Sequence, residues 1–109
     1  MASKMSGVRA AGAAGEAAAG IVKNTERIAS ATGTATYRVP DVLDHGAKII
    51  GEVKNYTTTS VPLTGQIKDD IAHAQANGYT MILQVWQGAQ LSQPLQQLVN
   101  QGTIKLVHF

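Results

Sequence analysis

The stretch Tyr37-Arg-Val-Pro-Asp-Val-Leu-Asp-His-Gly-Ala-Lys-Ile-Ile-Gly-Glu-Val-Lys54 carries most of the structural information in this chain. It contains Pro40-Asp41 and an apolar run that closes with Glu52-Val53-Lys54. The run is typical of a β-strand, whose alternation places Ile50, Glu52 and Lys54 on one face and Ile49, Gly51 and Val53 on the other. Charges in a core strand cost folding free energy unless they are paired, bound to a metal or placed in a cleft. The pattern therefore predicts a functional site on this strand.

The length and composition predict one globular domain. The chain has 109 residues, of which 44% are hydrophobic and 15% charged, a balance that allows a core and disfavours disorder. No apolar run approaches the roughly 18 residues of a membrane span, and no secretory signal is visible at the N-terminus. The absence of cysteine excludes disulfides, thiolate catalysis and cysteine-zinc sites. The net charge of +2 leans weakly towards a polyanionic partner.

The N-terminal part is rich in alanine and glycine. Alanine favours helix, whereas each interior glycine costs about 1 kcal/mol. We expect residues 1–11 to form a linker or flexible segment, residues 12–109 to form the domain, and one helix to run from Gly12 to Ala29.

The remaining pattern predicts alternating strands and helices. The expected elements, in chain order, are a short strand Tyr37–Asp41, a turn at Asp44-His45-Gly46, a strand Ala47–Lys54 antiparallel to the first, a helix Gly65–Asn77 with Thr64 as N-cap and Gly78 as its stop, a strand Tyr79–Trp86, a helix capped by Ser92 and ending at Gly102, and a strand Thr103–Phe109. This order predicts a small α/β sandwich with a mixed sheet.

The predicted helix Gly65–Asn77 has two distinct faces. Its apolar stripe consists of Leu63, Ile67, Ile71 and Ala74, and the polar stripe beside it of Gln66, Asp70, His73 and Asn77. We interpret Asp69-Asp70 as helix charges rather than calcium ligands, because no EF-hand spacing surrounds them.

Pro-Asp followed by Glu-x-Lys at the end of an apolar strand resembles the PD-(D/E)xK nuclease superfamily. The wider pattern is similar to the restriction-endonuclease-like toxin domains of bacterial polymorphic toxin systems, from about Gly15 to the C-terminus. The segments that carry this similarity are residues 37–41, 51–55, 66–69, 78–79 and 91–95. The resemblance implies a restriction-endonuclease-like sandwich that acts as a metal-dependent DNase, using Mg²⁺ or Mn²⁺.

The same resemblance implies a biological setting. It points to the C-terminal toxin module of a larger secreted bacterial protein, delivered into the cytoplasm of a competitor and blocked in the producer by a cognate immunity protein. The lack of a visible secretory signal agrees with delivery as part of a longer chain.

The chemistry of the residues also points to phosphodiester hydrolysis. Asp41 and Glu52, on neighbouring strands, make an oxygen-ligand site for Mg²⁺, helped by the carbonyl of Val53. Lys54 is placed to orient or deprotonate the attacking water and to offset phosphate charge. The competing interpretations are a solvated Glu52–Lys54 ion pair and an Asp41 that only shapes a turn.

Further candidates depend more on the resemblance. It implies that Gln66 supports the metal site or a phosphate, and that Glu16 joins the metal from an N-terminal helix. Each of the two is also explained as an ordinary solvated polar residue. Arg38, Asn55 and Lys68 are candidates for contact with nucleic acid.

Two alternative functions remain open from the sequence. One is a housekeeping junction-resolving or repair nuclease, and the other is a nucleic-acid-binding module without catalysis. DNA and RNA have the same phosphodiester chemistry, so the motif alone does not choose between them, and it leaves the oligomeric state open.

Overall fold

The computed structural model describes residues 23–57 and 59–109. In chain order the elements are β1 (Val42–Asp44), β2 (Ile49–Lys54), α1 (Gly65–Asn77), β3 (Thr80–Val85), α2 (Gln93–Asn100) and β4 (Lys105–His108). Within these ranges, no helix has the length and apolar character needed to cross a bilayer.

The four strands form one mixed sheet in the order β1-β2-β3-β4. The short turn at residues 45–48 makes β1 and β2 antiparallel, as expected for a tight connection. β3 is parallel to both β2 and β4, and parallel neighbours need crossover connections, which α1 and α2 provide. The predicted α/β architecture with a mixed sheet is confirmed.

α1 has the predicted boundaries because both of its ends carry strong local signals. The hydroxyl of Thr64 accepts a hydrogen bond from the backbone N–H of Ile67 at 3.2 Å. Gly78 ends the helix at φ +72°, a left-handed conformation that favours glycine. α2 begins after Ser92 as predicted, but the Ser92 hydroxyl makes no capping hydrogen bond.

The apolar stripe of α1 covers the sheet and forms the core. Ile67 and Ala74 are buried, and Leu63 and Ile71 pack against the buried cluster. The cluster comprises Ile28, Ile50, Val61, Ile67, Ala74, Met81, Leu83, Val85, Leu95 and Ile104. α1 contacts β2 and β3, so its N-terminal turn lies over the strand that carries Glu52.

The N-terminal expectations need correction where the structure describes them. Residues 23–29 are not helical, and the part of the predicted helix before Lys23 lies outside the described residues. Ile28 and Arg38 form an isolated antiparallel bridge, with N–H to carbonyl distances of 2.8 and 2.9 Å. This pairing replaces the intrahelical bonds, and it ties residues 23–29 to the segment before β1.

The predicted strand Tyr37–Asp41 is also wrong in its bounds. Only Arg38 in that segment makes a bridge, and the regular strand begins at Val42. Asp41 instead lies in a bend, held by Asn24, whose backbone N–H donates to the Asp41 carbonyl at 3.0 Å.

Gly51 is required by the close approach of β2 and β3. A Cβ atom at this position would lie 2.6 Å from the backbone carbonyl oxygen of Ile82. We expect Gly51→Ala to lower the free energy of unfolding by about 1–3 kcal/mol, because two paired strands must move apart. Urea unfolding measures this loss, and Gly46→Ala, whose Cβ would meet only a side-chain oxygen at 3.5 Å, is the matched control. Equal stability of the two variants contradicts the prediction.

Candidate functional site

A cavity of about 470 Å³ opens where β2 ends and α1 begins. Most of the residues predicted to act on a nucleic acid line it together, namely Arg38, Asp41, Glu52, Val53, Lys54, Asn55 and Gln66. They come from the segment before β1, from β2 and the loop after it, and from the first turn of α1. The fold therefore assembles one site from residues that are distant in sequence.

Asp41 is placed next to Glu52 by the register of the sheet. Val42 pairs with Gly51 in the antiparallel ladder, so the preceding residue, Asp41, lies beside Glu52. One Asp41 oxygen, Oδ2, accepts a hydrogen bond from the backbone N–H of Val53 at 2.9 Å. This bond fixes the carboxylate at the cavity wall.

Glu52 is the most buried charged group of the cavity, with 3% of its surface exposed. Its Oε1 lies 3.9 Å from the Lys54 ammonium, and its Oε2 accepts a hydrogen bond from Gln66 Nε2 at 3.1 Å. The pair is therefore not a solvated strand-end ion pair, because the Glu52 side chain is 3% and the Lys54 side chain 22% exposed. Lys54 also lines the cavity.

The surroundings of Glu52 disfavour its charged form. Burial is the largest cause that raises the pKa of Glu52 to about 11, and hydrogen bonding and repulsion from Asp70 and repulsion from Asp41 add to it. Lys54 opposes this rise but does not balance it. Three carboxyl groups, those of Asp41, Glu52 and Asp70, thus act on one another in a small, poorly solvated volume.

These residues fit a divalent cation, which would offset the crowded negative charge. Within residues 23–57 and 59–109, no three His, Asp or Glu side chains are arranged to hold one cation by themselves. Mg²⁺ requires less than that, because it is commonly held by one or two carboxylates and keeps several waters. Asp41 and Glu52, with the Val53 carbonyl, supply such a partial set of oxygen ligands.

Gln66 reaches the site from α1. Its amide nitrogen lies between Glu52 Oε2 and Asp70 Oδ1, at 3.1 and 3.5 Å respectively. The amide therefore contacts the carboxylate of the Glu-x-Lys motif directly.

Asp69 and Asp70 are both fully buried, which differs from the interpretation of this pair as ordinary helix charges. Asp70 faces Glu52, and its place in the predicted polar stripe with Gln66 is a sequence signal that could have linked it to the site. Asp69 faces the segment before β1, and no sequence signal indicated its partners.

Arg38 lines the cavity but is held by Asp69. Its Nε lies 2.8 Å from Asp69 Oδ2, and its Nη2 donates to Thr34 Oγ1 at 2.6 Å. Asp69 also accepts hydrogen bonds from the Ser30 hydroxyl at 2.6 Å and the Thr32 N–H at 2.8 Å. Burial alone would raise the pKa of Asp69, but these hydrogen bonds outweigh it and hold the pKa well below its usual range.

The other predicted residues are placed as follows. Asn55 lines the cavity, and its side-chain oxygen accepts a hydrogen bond from the indole N–H of Trp86. Lys68 is exposed on α1 and does not line the cavity. Glu16 lies outside the described residues.

Comparison with known families places the chain beside nuclease-fold toxins. The family model described as "Restriction endonuclease fold toxin 7" matches residues 12–95, which is most of the chain. The match agrees with the resemblance drawn from the Pro-Asp and Glu-x-Lys motifs and with the mixed sheet. Comparisons with curated proteins and with solved structures find no match.

Proposed function

Because the chain belongs to the restriction endonuclease fold toxin 7 family, we propose that it is a metal-dependent endonuclease that hydrolyses DNA phosphodiester bonds. The observation that carries this proposal is the cavity in which Asp41, Glu52, Lys54 and Gln66 meet. The residue types are those that phosphodiester hydrolysis requires: oxygen ligands for a cation, and a cationic group for the water and the phosphate.

Each side chain has a separate task in this proposal. Asp41 and Glu52, with the Val53 carbonyl, would hold Mg²⁺ or Mn²⁺. When bound, the cation would neutralise charge on the phosphate and lower the pKa of the attacking water. The Lys54 ammonium, 3.9 Å from Glu52 Oε1, orients the attacking water and offsets the charge that develops on the phosphate. Only the neutral amine form of this side chain can instead accept the proton of that water. Gln66 holds the Glu52 carboxylate in place through its amide hydrogen bond.

The family's description as a toxin supports the wider setting. We infer a C-terminal toxin module of a secreted antibacterial effector that acts in the target cytoplasm and is neutralised by a cognate immunity protein. Co-expression of the gene's downstream neighbour tests this setting: a true immunity protein binds the chain and stops cleavage by it.

Removing divalent cations is expected to stop plasmid cleavage by the purified chain. The cation contributes several kcal/mol of charge stabilisation, so its loss lowers the rate by at least about a hundredfold. Supercoiled plasmid is incubated with chain treated with EDTA, and Mg²⁺ or Mn²⁺ is then added back in excess. Recovery of nicked and linear DNA on addition supports the proposal.

The same assay, repeated with different cations and different nucleic acids, separates the alternatives. Full cleavage in EDTA contradicts the metal dependence, and absence of cleavage with every cation contradicts the nuclease function. Preference for branched over linear DNA favours a junction-resolving enzyme, and faster cleavage of RNA moves the substrate class away from DNA.

A further inference from the structure

Asp70 is a fully buried carboxylate at the back of the cavity's charged cluster. It lies one helical turn after Gln66 on α1, with Oδ1 3.5 Å from the Gln66 amide nitrogen. Among the described residues, its other oxygen, Oδ2, is buried without a hydrogen-bond partner. The side chain does not line the cavity itself, and it contacts the site through Gln66 and Glu52.

The Gln66 amide is shared between two carboxylates. Nε2 lies 3.1 Å from Glu52 Oε2 and 3.5 Å from Asp70 Oδ1. A glutamine side chain has several rotatable bonds and loses conformational freedom when its amide is held. The second carboxylate, on the same helix, restrains the amide in the position from which it donates to Glu52.

The arrangement is unfavourable for folding without a positive charge nearby. A buried carboxylate oxygen that lacks a donor costs folding free energy, and repulsion from Asp41 increases the cost, whereas hydrogen bonding with Glu52 and Gln66 offsets part of it. Among the described residues, Lys54 is the cation whose charge acts on both Asp70 and Glu52. A divalent cation at Asp41 and Glu52 would relieve the excess negative charge.

We infer that Asp70 is a positioning residue of the cation site, which holds Glu52 in its ligating orientation through the Gln66 amide and adds a negative charge behind it. The inference rests on the proposed function, because it concerns the same cation. Asp70 itself is not a ligand in this arrangement. It acts on the cation through Gln66 and through the field of its charge.

Calorimetric titration of Mn²⁺ into the full chain tests this role. Asp70→Asn keeps the shape and the acceptor oxygen but removes the charge, and loss of such supporting residues typically weakens metal binding about 10- to 100-fold. Asp44→Asn is the matched control, because it makes the same chemical change at the exposed last residue of β1. We expect wild-type affinity for Asp44→Asn and weakened affinity for Asp70→Asn.

Thermal unfolding distinguishes the positioning role from a purely structural one. The two roles predict opposite changes in the unfolding temperature of Asp70→Asn without cation. Without cation, Asp70→Asn should unfold at or above the wild-type temperature, because the variant no longer buries a carboxylate with one oxygen lacking a donor. With Mn²⁺, its stabilisation should be smaller than that of the wild type. A structural role predicts a lower unfolding temperature without cation and unchanged affinity.

Gln66→Ala and the double variant test the route through the amide. Because Asp70 acts partly through Gln66, the double variant should lose less Mn²⁺ affinity than the product of the fold-losses of the two single variants. Fully multiplicative losses overturn that route.

The remaining outcomes are also decisive. Wild-type affinity in Asp70→Asn, or failure of that variant to fold, overturns the inference and leaves the nuclease function standing. A wild-type chain that binds no Mn²⁺ overturns the inference together with the proposed metal dependence.

Discussion

Glu52→Ala and Lys54→Ala are each expected to abolish DNA cleavage while leaving the fold intact. Glu52 is the buried carboxylate of the cavity, and Lys54 is the cation beside it, 3.9 Å away. Loss of a group that binds the catalytic cation or activates the attacking water typically costs about 10²- to 10⁴-fold in rate. Initial rates of plasmid nicking with added Mg²⁺ measure the effect.

The fold of the Glu52 variants should survive for an electrostatic reason. The pKa of Glu52 is raised, chiefly by burial, so the charged form opposes folding at neutral pH. The neutral amide of Glu52→Gln should therefore leave the cation-free chain at least as stable as the wild type. This variant separates loss of chemistry from loss of structure.

Two exposed residues supply the controls for these variants. Glu26→Ala and Lys105→Ala remove the same charges away from the cavity, and we expect near wild-type rates for both. Circular dichroism checks that every variant is folded. Full activity of Glu52→Ala and Lys54→Ala with Mg²⁺ present contradicts the proposed site.

Asp69→Ala is expected to cause the largest loss of stability. Asp69 is fully buried and joins Arg38, Ser30 and Thr32 to α1. Its removal leaves a mostly buried guanidinium without its carboxylate and two donors without their acceptor. Breaking a buried ion pair on one side costs about 3–5 kcal/mol, a large share of the 5–15 kcal/mol that is typical for a domain. Urea unfolding of Asp69→Ala, with Asp44→Ala as the exposed control, measures the loss.

The same ion pair predicts the direction of the acid response. The pKa of Asp69 is lower in the folded chain than its ordinary value of 3.8, because hydrogen bonds from Ser30, Arg38 and Thr32 outweigh the effect of burial. The group therefore stabilises the fold above about pH 4, and this contribution is lost as the pH falls through the lower folded value. Asp69→Asn should lack this component of the acid transition. An unchanged acid transition in the variant contradicts the prediction.

The sequence alone was sufficient for the elements whose determinants are local. α1 begins and ends where Thr64 and Gly78 predict, because a capping hydroxyl and a left-handed glycine act within one turn of the helix. β2 begins two residues later than expected but ends at Lys54, and its alternation places Glu52 and Lys54 together at the cavity. The family similarity also follows from short motifs in the sequence.

The tertiary structure alone decided the N-terminal segment and the partners of the buried acids. Alanine-rich composition predicted helix up to Ala29, but residues 23–29 are not helical and Ile28 pairs with Arg38, because long-range pairing overrides propensity. Asp69 and Asp70 are adjacent in sequence, yet one binds Arg38 and the other faces Glu52. Neighbouring helix residues point about 100° apart, so their environments depend on which distant segments pack on each side. Local sequence therefore specified the proposed catalytic motif, whereas long-range packing determined which further charges lie around it.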